Sequence, residues 1–149
     1  MSKGKSKTNA IPTLVDGIQF KSKLEAYCHV KLKENNLKAK YEGKKFTVLP
    51  GFKLEEKKIQ PITYTPDFVG TDFIIECKGY PNDSFPLRWK LFLYYLYKNK
   101  SNYIAYLPHT YKEVDEVIIN ILKKRENDVR KRDKKIRSKR YKQLFSFLV

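Results

Sequence analysis

The sequence has no apolar run that approaches the roughly 18 to 20 residues needed to cross a bilayer. Its first residues, Ser2 to Lys7, are lysine, serine and glycine, and no apolar segment follows them that would complete a signal peptide. These two absences lead us to expect a protein without a membrane partner and with an intracellular location.

Cysteine is scarce as well. The two cysteines, Cys28 on a predicted helix and Cys77 on a predicted strand, are too few for a disulfide framework and lack the spacing of metal ligands. We expect both to be small buried apolar residues.

Acidic residues are outnumbered, because 16 Asp and Glu face 32 Lys and Arg and leave a net charge of +16. A protein this basic usually has a polyanion as its partner, which favours nucleic acid. The 149 residues are 41% hydrophobic and 14% aromatic, too apolar for a chain that is disordered throughout. Their number predicts one main domain with a single core.

The most informative stretch combines apolar segments with three polar residues. Residues 64–69 and 72–77 flank a Gly-Thr turn and predict a β-hairpin. Since side chains alternate along a strand, Glu76 and Lys78 share one face of the second strand. The other face is apolar: Phe73, Ile75 and Cys77. Asp67 follows a proline, which cannot donate a ladder hydrogen bond, so we expect a splayed strand end that brings Asp67 towards Glu76.

Two neighbouring carboxylates repel each other and are costly to desolvate unless a cation lies between Asp67 and Glu76. Mg²⁺ fits, because it takes a few carboxylate oxygens, keeps several waters and binds phosphate. Lys78 would then face the same water or phosphate, as metal-assisted phosphodiester hydrolysis requires. The alternative is that Glu76 and Lys78 form an ordinary surface salt bridge, which contributes little to stability.

The first helix is predicted to begin at Ser22, because Ser22 and Glu25 have the spacing of a capping box. Glu25 therefore has a structural role on pattern alone.

These motifs together carry a family resemblance. The pair Pro66-Asp67 followed by Glu76-Cys77-Lys78 resembles the signature of the PD-(D/E)xK nucleases. The stretch 64–68 is similar to the corresponding part of the bacteriophage endonuclease I Holliday junction resolvases. Residues 20–25 and Lys40-Tyr41-Glu42 look like that family too, so the resemblance covers roughly residues 17 to 79.

The resemblance implies an endonuclease that hydrolyses DNA phosphodiester bonds with Mg²⁺, for which Mn²⁺ can substitute. Glu25, Asp67 and Glu76 would hold the metal with the carbonyl of Cys77 or Ile75, and Lys78 would position or deprotonate the attacking water. It further implies a preference for branched DNA such as a Holliday junction, a homodimer that pairs two active sites, and a phage origin, hence the host cytoplasm. Lys21 and Lys23, which flank Glu25, become candidates for phosphate contacts.

We therefore expect an α/β fold with a restriction-endonuclease-like small mixed sheet flanked by helices. Residues 1–10 are predicted to be a mobile basic arm, 11–122 the nuclease domain, and 123–149 a basic helical C-terminal extension. Strands are expected at 38–42, 45–49 and 52–54, in one sheet of four or five strands with the hairpin. A helix from about residue 85 to 96, followed by a strand at 102–107, predicts a βαβ unit. The predicted core stripe of that helix is Leu87, Leu91, Tyr94 and Tyr95.

Basic residues outside the hairpin are the remaining candidates for nucleic-acid contacts. Residues 123–142 contain twelve Lys or Arg against Glu126, Asp128 and Asp133. Such a segment binds phosphates without reading bases. The expected contacts are Arg88, Lys90, Arg130, Lys131, Arg132, Lys134, Lys135 and Arg137.

A second reading from another functional class fits the charge equally well. A protein without catalysis that binds nucleic acid in a phage particle or replication complex, and that retains a nuclease fold, would be just as basic. It would have no need to crowd Asp67, Glu76 and Lys78 together.

Overall fold

The computed structural model describes residues 11–79 and 84–146, and the side chains at 141, 142 and 144–146 are outside this description. The predicted mobile arm, residues 1–10, lies outside it too. The helices are Lys23–Glu34 (α1), Phe85–Lys98 (α2) and Tyr111–Ser146 (α3). The strands are Thr13–Val15 (β1), Ile18–Phe20 (β2), Ala39–Tyr41 (β3), Phe46–Leu49 (β4), Phe52–Leu54 (β5), Lys57–Ile59 (β6), Ile62–Tyr64 (β7), Phe68–Gly70 (β8), Phe73–Ile75 (β9) and Ile104–Tyr106 (β10). The prediction of a mixed α/β fold is confirmed.

The predicted hairpin forms the centre of a four-stranded sheet with the order β10-β9-β8-β3. β8 and β9 are antiparallel, with Phe68 opposite Ile75. β10 runs parallel to β9 and α2 connects the two, which confirms the βαβ unit. The first hairpin strand is shorter than predicted, because Tyr64 belongs to β7 and pairs with β4 instead.

Two apolar cores lie on the two faces of this sheet, so the prediction of a single core is wrong. Phe73, Ile75 and Cys77 pack into one core with residues of α1 and α3. Ile74 packs into the other core with residues of α2, β4 and β7. Cys28 is in the first core, and the predicted burial of both cysteines is confirmed. The hairpin is thus covered on both sides, and only its ends reach solvent.

Strand pairing outside the hairpin differs from the prediction. β3 and β4 occur where expected, but β3 pairs with β8 and β4 pairs with β7, so the two neighbours in sequence do not pair. β5 pairs with β6, and β1 pairs with β2. The expected single sheet is therefore divided into one sheet of four strands and three two-stranded ribbons among the described residues.

The predicted core stripe of α2 was wrong in part. Leu87 and Tyr94 are exposed, whereas Trp89 is buried. The buried residues of this helix are Phe85, Trp89, Phe92 and Leu96. The aromatic side chains of β4 and β7 account for the difference, since Tyr64 stacks on Phe92 with 4.6 Å between ring centroids.

The last helix has an anchored half and an exposed half. Its first turns bury apolar residues against α1, namely Val114, Val117, Ile118 and Ile121. Arg125 then binds Asp72 in the turn between β8 and β9, at 2.7 Å. Residues 131–140 are all exposed. The boundary predicted after residue 122 falls inside this continuous helix. No helix in the described ranges is both long enough and apolar enough to span a membrane.

Gly70, the last residue of β8, is expected to be essential for the packing of the hairpin. A Cβ added there would lie 2.5 Å from the ring of Phe73, which is fully buried and has the Arg125 guanidinium 5.6 Å from its centroid. We expect Gly70→Ala to lower the free energy of unfolding by about 1–3 kcal/mol, as overpacked cores do. Urea denaturation measures this. Gly79→Ala is the control, because its added Cβ meets no atom of the described residues within 4 Å. Equal losses of unfolding free energy in both variants would contradict the packing argument.

Candidate active site

The polar residues of the hairpin meet in a cleft at the end of the sheet opposite the β8–β9 turn. Asp67 immediately precedes β8 and Glu76 immediately follows β9. The two residues therefore lie next to Phe68 and Ile75, which are opposite each other in the hairpin. The cleft has a volume of about 640 Å³. It is lined by Lys21, Glu25, Glu42, Lys45, Thr63, Tyr64, Thr65, Asp67, Glu76, Cys77, Lys78, Phe85 and Arg88.

Asp67 is fixed by backbone contacts on both sides. Its carbonyl accepts a hydrogen bond from the Glu42 N–H at 2.7 Å, and its Oδ2 atom accepts one from the Cys77 N–H at 2.7 Å. Burial, followed by the charges of Glu76 and Glu25, raises the pKa of the Asp67 carboxyl to about 8, against an ordinary value of 3.8. Burial and the two acidic neighbours therefore disfavour ionisation of Asp67.

Glu76 carries an oxygen without a hydrogen bond. Its N–H donates to the Tyr106 carbonyl of β10 at 3.0 Å, which fixes the backbone. Its Oε2 atom and the Tyr64 hydroxyl are buried close to one another, and neither makes a hydrogen bond of ordinary geometry within the described part of the chain. Burial raises the pKa of Glu76, although the nearby Tyr64 and Lys78 oppose that shift. A buried carboxylate oxygen without a partner is costly and indicates a place for a ligand.

Glu25 forms the capping box that the sequence predicts, and it also lines the cleft. Ser22 caps α1, and Glu25 is its partner in the capping box. Glu25 donates its N–H to the Ser22 hydroxyl at 3.1 Å, and its Oε1 atom accepts from that hydroxyl at 2.8 Å. Its Oε2 atom accepts from the Lys21 N–H at 3.1 Å and from the Tyr41 hydroxyl at 2.6 Å. The side chain is nevertheless directed into the cleft, where its charge raises the pKa of Asp67.

Lys78 is held at its backbone and partly free at its side chain. Its N–H donates to the Pro108 carbonyl at 3.0 Å, and its carbonyl lies 2.5 Å from the Nδ1 atom of His109. The ammonium lies 4.7 Å from the ring centroid of Phe85. The charge of Lys78 is close enough to Glu76 to oppose the rise that burial causes in the pKa of that carboxyl.

Cations form the rim of the cleft. Lys21 is paired with Glu42, and this hydrogen bond raises the pKa of the Lys21 amine. Arg88 lies over the Tyr64 ring, 5.7 Å from its centroid, and Lys45 is exposed at the base of β4. An anionic chain that enters the cleft would therefore pass positive charge before it reaches the carboxylates.

The structure brings together some of the predicted site residues and not others. Seven of them line the cleft: Lys21, Glu25, Asp67, Glu76, Cys77, Lys78 and Arg88. Lys23 and Lys90 are exposed but do not line it; Lys90 is two residues from Arg88 and so lies on another face of α2. The predicted contacts at 130–137 are on the exposed half of α3. Within residues 11–79 and 84–146, no three side chains of His, Cys, Asp and Glu lie close enough to form a ready metal site.

Sequence reasoning missed several residues that shape the site. Tyr41 donates to Glu25, and burial raises the pKa of the Tyr41 hydroxyl, so it remains a donor. His109 contacts the Lys78 carbonyl, although its position in a turn gave no sign of this. Lys45 and Thr63 reach the cleft only because β4 pairs with β7. These contacts join segments that are distant in sequence, and no local pattern marks them.

The raised pKa of Asp67 predicts a pH dependence of stability. Between pH 4 and 8 the folded protein retains a proton that the unfolded chain has lost, so its stability falls as the pH rises through this window. Asp67→Asn removes the charge and keeps an oxygen for the Cys77 N–H. We expect its advantage in unfolding free energy over the wild type to grow by an amount on the order of a few kcal/mol from pH 5 to pH 9.

Urea denaturation of both proteins without divalent metal at the two pH values measures that advantage. Asp133→Asn, on the exposed half of α3, is the control and should show no such growth. An advantage for Asp67→Asn that is equal at both pH values would contradict the burial argument.

The comparisons with known proteins show one family. Residues 5–113 match the family described as protein of unknown function DUF1064, a range that includes every residue lining the cleft and ends near the start of α3. No curated protein and no solved structure matches the chain. Since the match covers more than half of its length, the chain belongs to the DUF1064 family.

Proposed function

We propose that this protein is a metal-dependent endonuclease that hydrolyses DNA phosphodiester bonds, with a restriction-endonuclease-like fold. One observation carries the proposal. Three buried carboxylates, those of Glu25, Asp67 and Glu76, which are 6%, 9% and 8% exposed, converge in one cleft beside Lys78. A purely structural cluster of this kind would be destabilising, since like charges repel and burial disfavours ionisation.

The donor atoms fit Mg²⁺. This ion needs only one or two carboxylates and keeps several waters, so a ready group of three ligands is not required. Asp67 and Glu76 would hold it, with the unpartnered Oε2 atom of Glu76 as one donor and the Cys77 carbonyl as another. Direct binding by Glu25 would require release of a bond from Tyr41 or the Lys21 N–H. When bound, the ion would supply positive charge for the scissile phosphate, and Mn²⁺ would substitute for it.

The remaining chemistry would be supplied by the chain itself. Lys21 and Arg88 would contact the phosphate from the rim of the cleft. Lys78 would orient the attacking water or accept its proton, while the Phe85 ring holds the amine in place. Water would attack phosphorus and one P–O ester bond would break, which leaves a hydroxyl on one product and a phosphate monoester on the other.

The alternative proposal is a nucleic-acid-binding protein without catalysis. It explains the positive charge equally well, but it gives no reason for the buried carboxylates. Incubation with plasmid, single-stranded DNA and a four-way junction, with Mg²⁺ and with chelator, separates the two. The same assay gives the substrate preference, for which branched DNA is our proposal. A homodimer is part of that proposal, and a strict monomer in solution would favour a nicking or end-processing enzyme.

Asp67→Asn and Lys78→Ala are each expected to lower the rate of plasmid cleavage by about 100-fold or more, because each removes a group that acts on the reacting atoms. DNA binding, followed by fluorescence anisotropy, should remain. Lys98→Ala, at the far end of α2, is the control and should cleave normally. Cleavage at the wild-type rate by Asp67→Asn would refute the site.

Metal binding has a readout that does not depend on activity. At pH 8, Mg²⁺ should raise the melting temperature of the wild type, because an ion between the carboxylates stabilises only the folded state. The expected rise is on the order of 5 to 10 °C when the Mg²⁺ concentration is about 100 times the dissociation constant. Differential scanning fluorimetry measures the shift. Glu76→Gln should lose most of this shift in melting temperature, whereas the control Glu116→Gln, on the surface of α3, should keep it. An unchanged shift in Glu76→Gln would show that the ion binds elsewhere.

A further inference from the structure

The segment 46–64, here named the β-ribbon, rises from the cleft. β4 pairs with β7 at its base and β5 pairs with β6 at its tip. The base is anchored, because Phe46 and Tyr64 are buried against α2. The tip is not, since all residues from 51 to 58 are exposed. A two-stranded hairpin without a covering layer is marginally stable in water, so the exposed tip gains little from the body of the protein.

The tip carries a pair of like charges. Lys53 and Lys58 are Cα partners across β5 and β6, so their side chains lie side by side on one face. Like charges directly opposite each other destabilise a ribbon. Neither amine has an ion pair with any residue of the described chain, although Glu55 and Glu56 form the adjacent turn. An anion between the two lysines would remove the repulsion.

The base of the β-ribbon adjoins the cleft. Lys45, Thr63 and Tyr64, at the base, line the cleft with Asp67 and Glu76. Nine residues from Phe46 to Leu54 extend over at most about 30 Å at about 3.3 Å per residue. At 3.4 Å between base pairs, that length is roughly eight or nine base pairs of duplex. A duplex held at the cleft and running along the β-ribbon would therefore reach the tip within about one helical turn.

We propose that the β-ribbon is a second DNA contact, in which Lys53 and Lys58 bind backbone phosphates of duplex flanking the cleft. This inference rests on the proposed function, because it requires that DNA occupies the cleft. Duplex DNA is favoured over a second copy of this chain by charge, as two copies would each bring a net charge of +16. A two-stranded ribbon is also a shape that fits the major groove, which is about 12 Å wide.

The test uses Asp67→Asn as the background, so that binding is measured without cleavage. Fluorescence anisotropy gives the dissociation constants for duplexes of 10 and 30 base pairs. The double variant Lys53→Glu/Lys58→Glu should weaken binding of the 30-base-pair duplex on the order of tenfold or more. It should also lower the slope of log affinity against log salt by about two. Binding of the 10-base-pair duplex should change less. Lys98→Glu/Lys100→Glu makes the same change of charge at the far end of α2 and should retain affinity.

A single substitution separates binding from stability. Lys53→Glu alone creates an opposite-charge pair with Lys58, which should stabilise the β-ribbon while it weakens DNA binding. Hydrogen exchange of the amides of β5 and β6 measures the first effect and anisotropy the second. If the pair of lysines had a purely structural role, the stability of the β-ribbon and the DNA affinity would not change in opposite directions.

Three results would overturn the inference. If the double variant at positions 53 and 58 binds the long duplex as tightly as the control, the β-ribbon does not contact DNA, and the proposed function stands as long as the wild type binds and cleaves. If that variant keeps its DNA affinity but changes its sedimentation, the exposed Phe52 and Leu54, 48% and 62% accessible, instead contact a second copy of the chain. If the wild type binds no DNA, both proposals fail.

Discussion

The burial of three acidic side chains in one cleft is the constraint on which the rest of this structure depends. Glu25 is on a helix, whereas Asp67 and Glu76 are at the ends of the two strands of one hairpin, and each is desolvated. Their proximity is maintained by backbone contacts that do not depend on side-chain charge, such as the bonds between Glu42 and Asp67 and between Glu76 and Tyr106. Strand pairing and two cores supply the stability that this end of the sheet lacks.

The position of the hairpin between two cores explains how the site is kept rigid. Ile74 faces α2, whereas Phe73 and Ile75 face α1 and α3. Any movement of β9 that separated Asp67 from Glu76 would open both cores at once. A site built on such a frame is preorganised, which is the condition for electrostatic catalysis of the kind proposed.

Local patterns predicted the parts of this fold that local physics decides. The capping of α1 by Ser22, the hairpin, the return strand after α2 and the two faces of β9 all follow from spacing and alternation. What the sequence did not reveal depends on contacts distant along the chain. β3 pairs with β8 and not with β4, and Trp89 is buried because β4 and β7 cover that side of α2. The hydrogen bond from Tyr41 to Glu25 joins a strand to a helix and has no local signature.

The anchored start of α3 has a kinetic consequence. The helix begins near Lys78, is tied to Asp72 by Arg125 and continues for roughly 30 Å at 1.5 Å per residue, so its basic half lies beyond the end of the hairpin remote from the carboxylates. In the proposed endonuclease, phosphates bound there would not react, and they would be held equally in the substrate, transition-state and product complexes. Binding of that uniform kind lowers KM without raising kcat. In an enzyme of the proposed type, turnover at low ionic strength would then be set by the departure of the cut strand.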